Sequence, residues 1–109
     1  MATTLRDDWP RRVLDAVPGP LPDDDSALVP ALARALHVRV ADLGVASPAA
    51  RALLPERWAR HFRVVPLDAT DDEIVLATAD PLDLESERAL AFATGRRVRF
   101  ALGAPSAVL

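Results

Sequence analysis

The hydrophobic pattern is clearest in the second half of the chain, where its period changes twice. Arg63 to Leu67 and Glu73 to Ala79 are apolar, β-branched runs separated by Asp68-Ala69-Thr70-Asp71-Asp72. Acidic turn residues between two such runs predict a β-hairpin. Asp80-Pro81 then predicts a helix start, with Asp80 capping the free N–H groups and Pro81 in the first position. Asp83 and Glu85 answer the positive end of that helix, and Leu82, Ala89, Leu90 and Ala93 form its buried stripe. Gly95 supplies the left-handed residue that ends it. Arg97 to Leu102 returns to a period of two, with Val98, Phe100 and Leu102 inward and Arg97 and Arg99 outward. The order hairpin, helix, strand implies a right-handed crossover.

Upstream the period is helical. Leu28, Leu32, Ala35 and Leu36 follow a cap at Asp25 or Ser26, with Pro30 placed in the first turn. Val38 to Leu43 alternates and predicts a short strand. Ser47-Pro48 and Pro55 each start a short helix, over Pro48 to Leu53 and Pro55 to Phe62. Leu53, Leu54, Trp58 and Phe62 face inward. The expected class is α+β: N-terminal helices packed on a small sheet made of a β-hairpin and a crossover strand, a ββαβ core.

The first 25 residues differ. Pro10, Pro18, Pro20, Pro22 and Asp23-Asp24-Asp25 oppose regular structure, so residues 1–25 are expected as a proline-rich arm and residues 26–109 as the domain. A helical turn at Arg11 to Ala16 would present Val13, Leu14 and Val17. Pro105-Ser106 suits the start of a further helix that the chain, ending at Leu109, cuts after one turn.

Composition narrows the chemistry. Half of the 109 residues are apolar, enough for a core, and the net charge of −3 gives no general attraction to nucleic acid or anionic lipid. There is no Cys, hence no disulfide and no thiolate nucleophile or ligand. All 13 basic residues are Arg, so the Lys of a phosphate-binding P-loop is missing, and the four glycines lack its spacing. His37 and His61 have no partner at metal-ligand spacing and are read as structural or surface residues. Asp23-Asp24-Asp25 lacks the spaced oxygens of a calcium loop. Ser26 and Ser47 are read as caps. No catalytic residue, metal or cofactor is expected. Met1 to Trp9 has no apolar run of a signal peptide, and no stretch reaches the length of a membrane span. Cytoplasmic residence is the expectation.

What remains is surface. Arg96, Arg97 and Arg99 form one basic cluster able to receive carboxylates or phosphates, or to blunt a strand edge. Arg11 and Arg12, with Arg57 and Arg60, form a second. Trp9 has two placements open, packed back on the domain or offered to a partner.

Four blocks carry a resemblance: Leu53-Leu54-Pro55-Glu56, Arg63-Val64-Val65-Pro66-Leu67, Ala77-Thr78-Ala79-Asp80-Pro81-Leu82-Asp83, and Phe92-Ala93-Thr94-Gly95-Arg96-Arg97-Val98. At this separation they resemble the N-terminal domain of the bacterial type II secretion ATPase, protein E, and of related pilus ATPases, over about residues 28 to 109. The resemblance implies a non-catalytic docking module that precedes a motor ATPase. Its implied partner is a cytoplasmic domain of an inner-membrane assembly protein, so that the chain sits peripheral to the membrane. Some members bind cyclic di-GMP through paired motifs beginning Arg-Leu-Gly. This chain has none; Arg11-Arg12-Val13-Leu14 with Gly19 is a degenerate echo of one copy. The resemblance therefore implies docking ahead of its alternative, cyclic di-GMP sensing.

Overall fold

Three strands form the sheet in the computed structural model, which describes residues 9–22, 24–45 and 47–105. Chain order is α1 (Arg11–Leu14), α2 (Asp25–Leu36), a 3-10 turn (Leu43–Val45), α3 (Pro48–Leu53), α4 (Glu56–Phe62), β1 (Val65–Ala69), β2 (Glu73–Thr78), α5 (Leu84–Thr94) and β3 (Arg97–Leu102). The spatial order is β1-β2-β3. The β1–β2 pair is antiparallel and the β2–β3 pair is parallel, so the hairpin and crossover are both present in an α+β fold.

The sheet is buried on both faces at its centre. Ile74, Leu76 and Phe100 pack against Leu90 of α5 and against Leu54, Trp58 and Phe62 of the α3–α4 region. Val75, Ala77 and Ala101 look the other way, toward Leu67 and the segment carrying Ala41 and Leu43. β2 therefore reads as a continuous apolar run, as a central strand must.

Several boundaries differ from expectation, each for a local reason. β1 begins at Val65, not Arg63, because Arg63 is the left-handed cap of α4 (φ 55°) and Val64 N–H donates to Ala59 C=O. α2 is capped by Asp24, whose carboxylate accepts from Ser26 and Ala27 N–H. That start leaves Pro30 inside the helix, beyond its first turn. The strand expected over 38–43 reduces to one parallel bridge, Val40 to Leu102. Asp42 Oδ1 accepts from Gly44 N–H at 3.1 Å and turns the chain into the 3-10 segment before a second pair can form. The helix expected from Pro105-Ser106 lies outside the described residues.

The proline-rich arm, expected to carry a helical turn at Arg11 to Ala16, has α1 at Arg11–Leu14 and packs on the helices where it is described. Trp9 and Val13 join Leu28, Leu32, Ala33 and Leu102 in one cluster, with Leu14, Val17 and Leu21 against it. Of the two placements open to Trp9, the structure shows the packed one, at 4% exposure. Its indole N–H has no hydrogen-bond partner among the described residues.

Trp9→Ala should lower the unfolding free energy by about 3–5 kcal/mol, the usual cost of emptying a buried aromatic site. Trp9→Phe should retain most of that stability, since the N–H it deletes has no partner to lose. Urea titration of the three proteins checks both values; an unchanged midpoint in Trp9→Ala would show that the tryptophan is not part of the core.

Candidate docking surface

α5 is held by a narrow stripe. Leu90 is fully buried, and Ser86, Glu87, Ala91 and Thr94 are half-buried on the same side. A helix turns about 100° per residue, so Phe92 lies about 200° from Leu90 and faces out. Phe92 is 91% exposed and Leu84, two turns before it, is 59% exposed. Arg88 stands exposed between them at the intervening turn. Leu82, expected in the buried stripe, is exposed in the preceding turn, and Ala93 is exposed as well.

The reason lies at the helix start, one turn later than expected. Asp83, not Asp80, is the cap: its Oδ1 accepts from Ser86 N–H at 3.1 Å and its Oδ2 accepts from Ser86 Oγ at 2.6 Å. Those bonds hold the Asp83 carboxyl below the ordinary carboxylate range, the Ser86 hydroxyl bond being the largest cause. Asp80 is committed elsewhere. It accepts from Leu82 N–H at 3.2 Å and receives the Arg12 guanidinium, with Nε at 3.0 Å from Oδ2 and Nη2 in contact. That contact raises the Arg12 pKa further above its ordinary value. With Asp80 turned toward α1, residues 80–82 form a turn and Leu82 is carried to the surface.

The basic residues singled out in the sequence divide into two places. Arg12 lies at the carboxyl end of the parallel strands through Asp80, and Arg11 is exposed beside it. Arg96, Arg97 and Arg99 belong to the opposite end, where β3 begins. Arg96 Nε donates to Thr70 C=O at 2.7 Å and its Nη1 to Thr94 C=O at 3.0 Å, so it ties the hairpin turn to the end of α5. Arg99 Nη2 lies 3.2 Å from Glu73 Oε2. Arg97 is exposed on the sheet face. Trp9 is buried and joins neither group.

A cavity of about 250 Å³ opens beyond the end of β2, among His61, Arg63, Thr78, Asp80, Asp83 and Ser86. Whereas an open cleft of about 810 Å³ lies among Pro48, Arg51, Glu56, Arg60 and Val65, this cavity is smaller than the ~300–1,000 Å³ typical of small-molecule sites. Its polar groups are largely engaged with one another, since Thr78 Oγ1 accepts from Asp80 N–H at 3.1 Å and Asp83 holds Ser86. Among the described residues no group of three or more His, Cys, Asp or Glu could hold a metal ion. None of the described helices is long and apolar enough to cross a membrane. The α5 stripe carries the most exposed large apolar side chain among the described residues, Phe92. Sequence reading missed it, although the signal was present: Phe92 is out of phase with Leu90.

Comparison with known proteins places these features in context. The MshEN domain family model matches residues 36–109. No curated protein matches the chain. Among solved structures, MshE with cdg (cyclic di-GMP) superposes with a TM-score of 0.67 at 27% identity, covering 78% of this chain and 63% of that one. The N-terminal domain of XpsE superposes with a TM-score of 0.58 at 27% identity, covering 70% and 55%. A second crystal form of the XpsE domain shares the fold over 94% of this chain and 83% of that one, with a TM-score of 0.56 at 20% identity. The chain spans less than two thirds of the length of the first two structures.

The Asp83 cap carries a pH signature. Asp83→Ala should cost about 1 kcal/mol at pH 7, the usual value of a lost N-cap. The Asp83 carboxyl is depressed in the folded state, so its contribution is present above the unfolded value of about 3.9 and lost as pH falls through the lower folded value. The stability gap between wild type and Asp83→Ala should therefore close on acidification below about pH 4. Urea midpoints at pH 7 and pH 3 test this; a gap that widens in acid would contradict the assigned cap.

Proposed function

The chain belongs to the MshEN domain family, the N-terminal domains of type II secretion and type IV pilus ATPases, and from that premise we propose that it is a docking module with no bond-making chemistry of its own. It joins a motor ATPase to the cytoplasmic domain of an inner-membrane assembly protein, and so works in the cytoplasm at the inner face of that membrane. The observation that carries this reading is the Leu84–Arg88–Phe92 face of α5. Burying a phenylalanine or leucine side chain is worth about 1.5–3 kcal/mol, so the two apolar residues together supply about 3–6 kcal/mol to a complex. That is a substantial part of the ~8 kcal/mol of a micromolar dissociation constant. Arg88 between them adds direction to a contact that apolar burial alone leaves unoriented. The lack of Lys and Cys supports a role without phosphate gripping or thiol chemistry.

A second reading, cyclic di-GMP sensing, draws on the likeness to MshE solved with that nucleotide. Against it, the chain has no Arg-Leu-Gly, and Arg11 to Gly19, the degenerate echo, lies before the family match at residue 36. Arg12 and Arg96 already hold internal partners.

Two measurements separate the readings. In a pull-down with the cytoplasmic domain of the cognate assembly protein, Phe92→Asp should reduce capture at least about tenfold, since it removes an apolar anchor and inserts a charge. Its circular dichroism should be unchanged, because Phe92 has little to lose in the free fold. Wild-type capture by this variant would sink the α5 assignment. Calorimetric titration with cyclic di-GMP should give no binding heat; a saturable isotherm would favour the sensing reading.

A further inference from the structure

The two edges of the sheet are finished differently. The outer edge of β1 carries Pro66, which has no N–H, and a register shift between Pro66 and Asp68. Leu67 C=O on that strand accepts from Ser47 N–H at 2.8 Å. These devices blunt an edge. β3 lacks them over its first half. Arg97 N–H donates to Asp72 C=O at 2.9 Å and Gly103 N–H to Thr78 C=O at 3.0 Å, which fixes the phase of the β2–β3 ladder. Backbone groups alternate sides along a strand. Arg97, Arg99 and Ala101 therefore address β2, and Val98, Phe100 and Leu102 address the far edge. Leu102 uses both of its groups there, donating to Arg39 C=O and accepting from Ala41 N–H, each at 2.8 Å. Val98 and Phe100 have no backbone partner on that side among the described residues.

We propose that this open stretch of β3 receives an extended acidic segment of a partner protein by strand addition. The edge already accepts a strand in this way, since Val40 bridges Leu102 in parallel. A guest at Val98 and Phe100 continues the same line and makes up to four backbone hydrogen bonds. Its charge follows from the residues that flank the opening. Arg97 and Arg99 project from β3, and Arg39 stands exposed where the bridging segment begins. The Arg99–Glu73 pair is open to solvent, so Arg99 can exchange that partner at little cost. Charge also argues against a second copy of the same strand. Antiparallel pairing of two β3 edges sets arginines against arginines, and like charges opposite one another destabilise a ladder. The inference goes beyond the α5 reading and stands without it, because it rests on the phase of β3 and the arginines beside it.

The test uses two fluorescein-labelled octapeptides, (Val-Glu)4 and (Val-Lys)4, and the 15N-labelled chain. In the free chain, Val98 and Phe100 amides should exchange quickly while Arg99 and Ala101 amides are protected. Addition of (Val-Glu)4 should slow exchange at Val98 and Phe100, and (Val-Lys)4 should not. Val98→Pro removes an edge N–H without removing a bond to β2, and should weaken (Val-Glu)4 binding about tenfold through the lost backbone pairing. Phe92→Asp should bind this peptide as wild type does, which separates the two surfaces. Equal protection of Val98 and Arg99 in the free chain, unchanged exchange with the peptide, equal binding of both peptides, or loss of binding in Phe92→Asp would each overturn the proposal.

Discussion

Everything else in this fold leans on the enclosure of β2. Ile74 and Leu76 face one layer and Val75 and Ala77 the other, and all four are buried. A strand buried on both faces needs a partner on each edge and a cover on each side. β1 and β3 supply the edges, and α5 with α3 and α4 supplies one cover. The second cover is thin, a segment carrying Ala41 and Leu43. That asymmetry is affordable because the residues beneath it, Val75, Ala77 and Ala101, are small. Two fully formed helical layers would need larger side chains on that face.

The N-terminal helices attach to this core through the end of β3. Leu102 lies in the cluster with Trp9, Val13, Leu28 and Leu32, and its backbone carries the single bridge to Val40. Arg12 reaches Asp80 beyond the end of β2, so α1 is joined to the core by apolar packing and by an ion pair. The packing carries more of the stability. A solvent-exposed pair contributes little, whereas a buried tryptophan is worth several kcal/mol. The structural consequence of the pair is larger than its energy. By holding Asp80, it leaves Asp83 to begin α5 and shifts the helix register on the surface.

Most of the core was legible in the sequence because its signals are local and redundant. The hairpin has two apolar runs and an acidic turn, α5 has Leu90 and the terminal Gly95, and β3 alternates without a break. What the sequence concealed depended on long-range partners. Ser86, three residues on, favours Asp83 as the cap, and Arg12, 68 residues away, engages Asp80. Trp9 looked undecided for a similar reason, since the walls of its site come from α2 and β3. The strand expected near Val40 failed on a short-range effect, the Asp42 turn to Gly44, which competes with pairing for the same backbone. The exposed Phe92 is readable from its phase, two residues from Leu90 on the same helix.

The distribution of arginines then explains what kind of surface is left. Arg12 and Arg96 hold Asp80 and two carbonyls and so tie elements together, while Arg11, Arg39, Arg88 and Arg97 stand exposed. The exposed arginines are charges that a partner can answer. The unmet demands that remain are of other kinds: a phenylalanine in water, and backbone groups of Val98 and Phe100 without a strand beside them. Both are of kinds that another polypeptide can meet, one through apolar contact and the other through main-chain pairing. The core is closed, and the openings left are an apolar helix face and half of a strand edge.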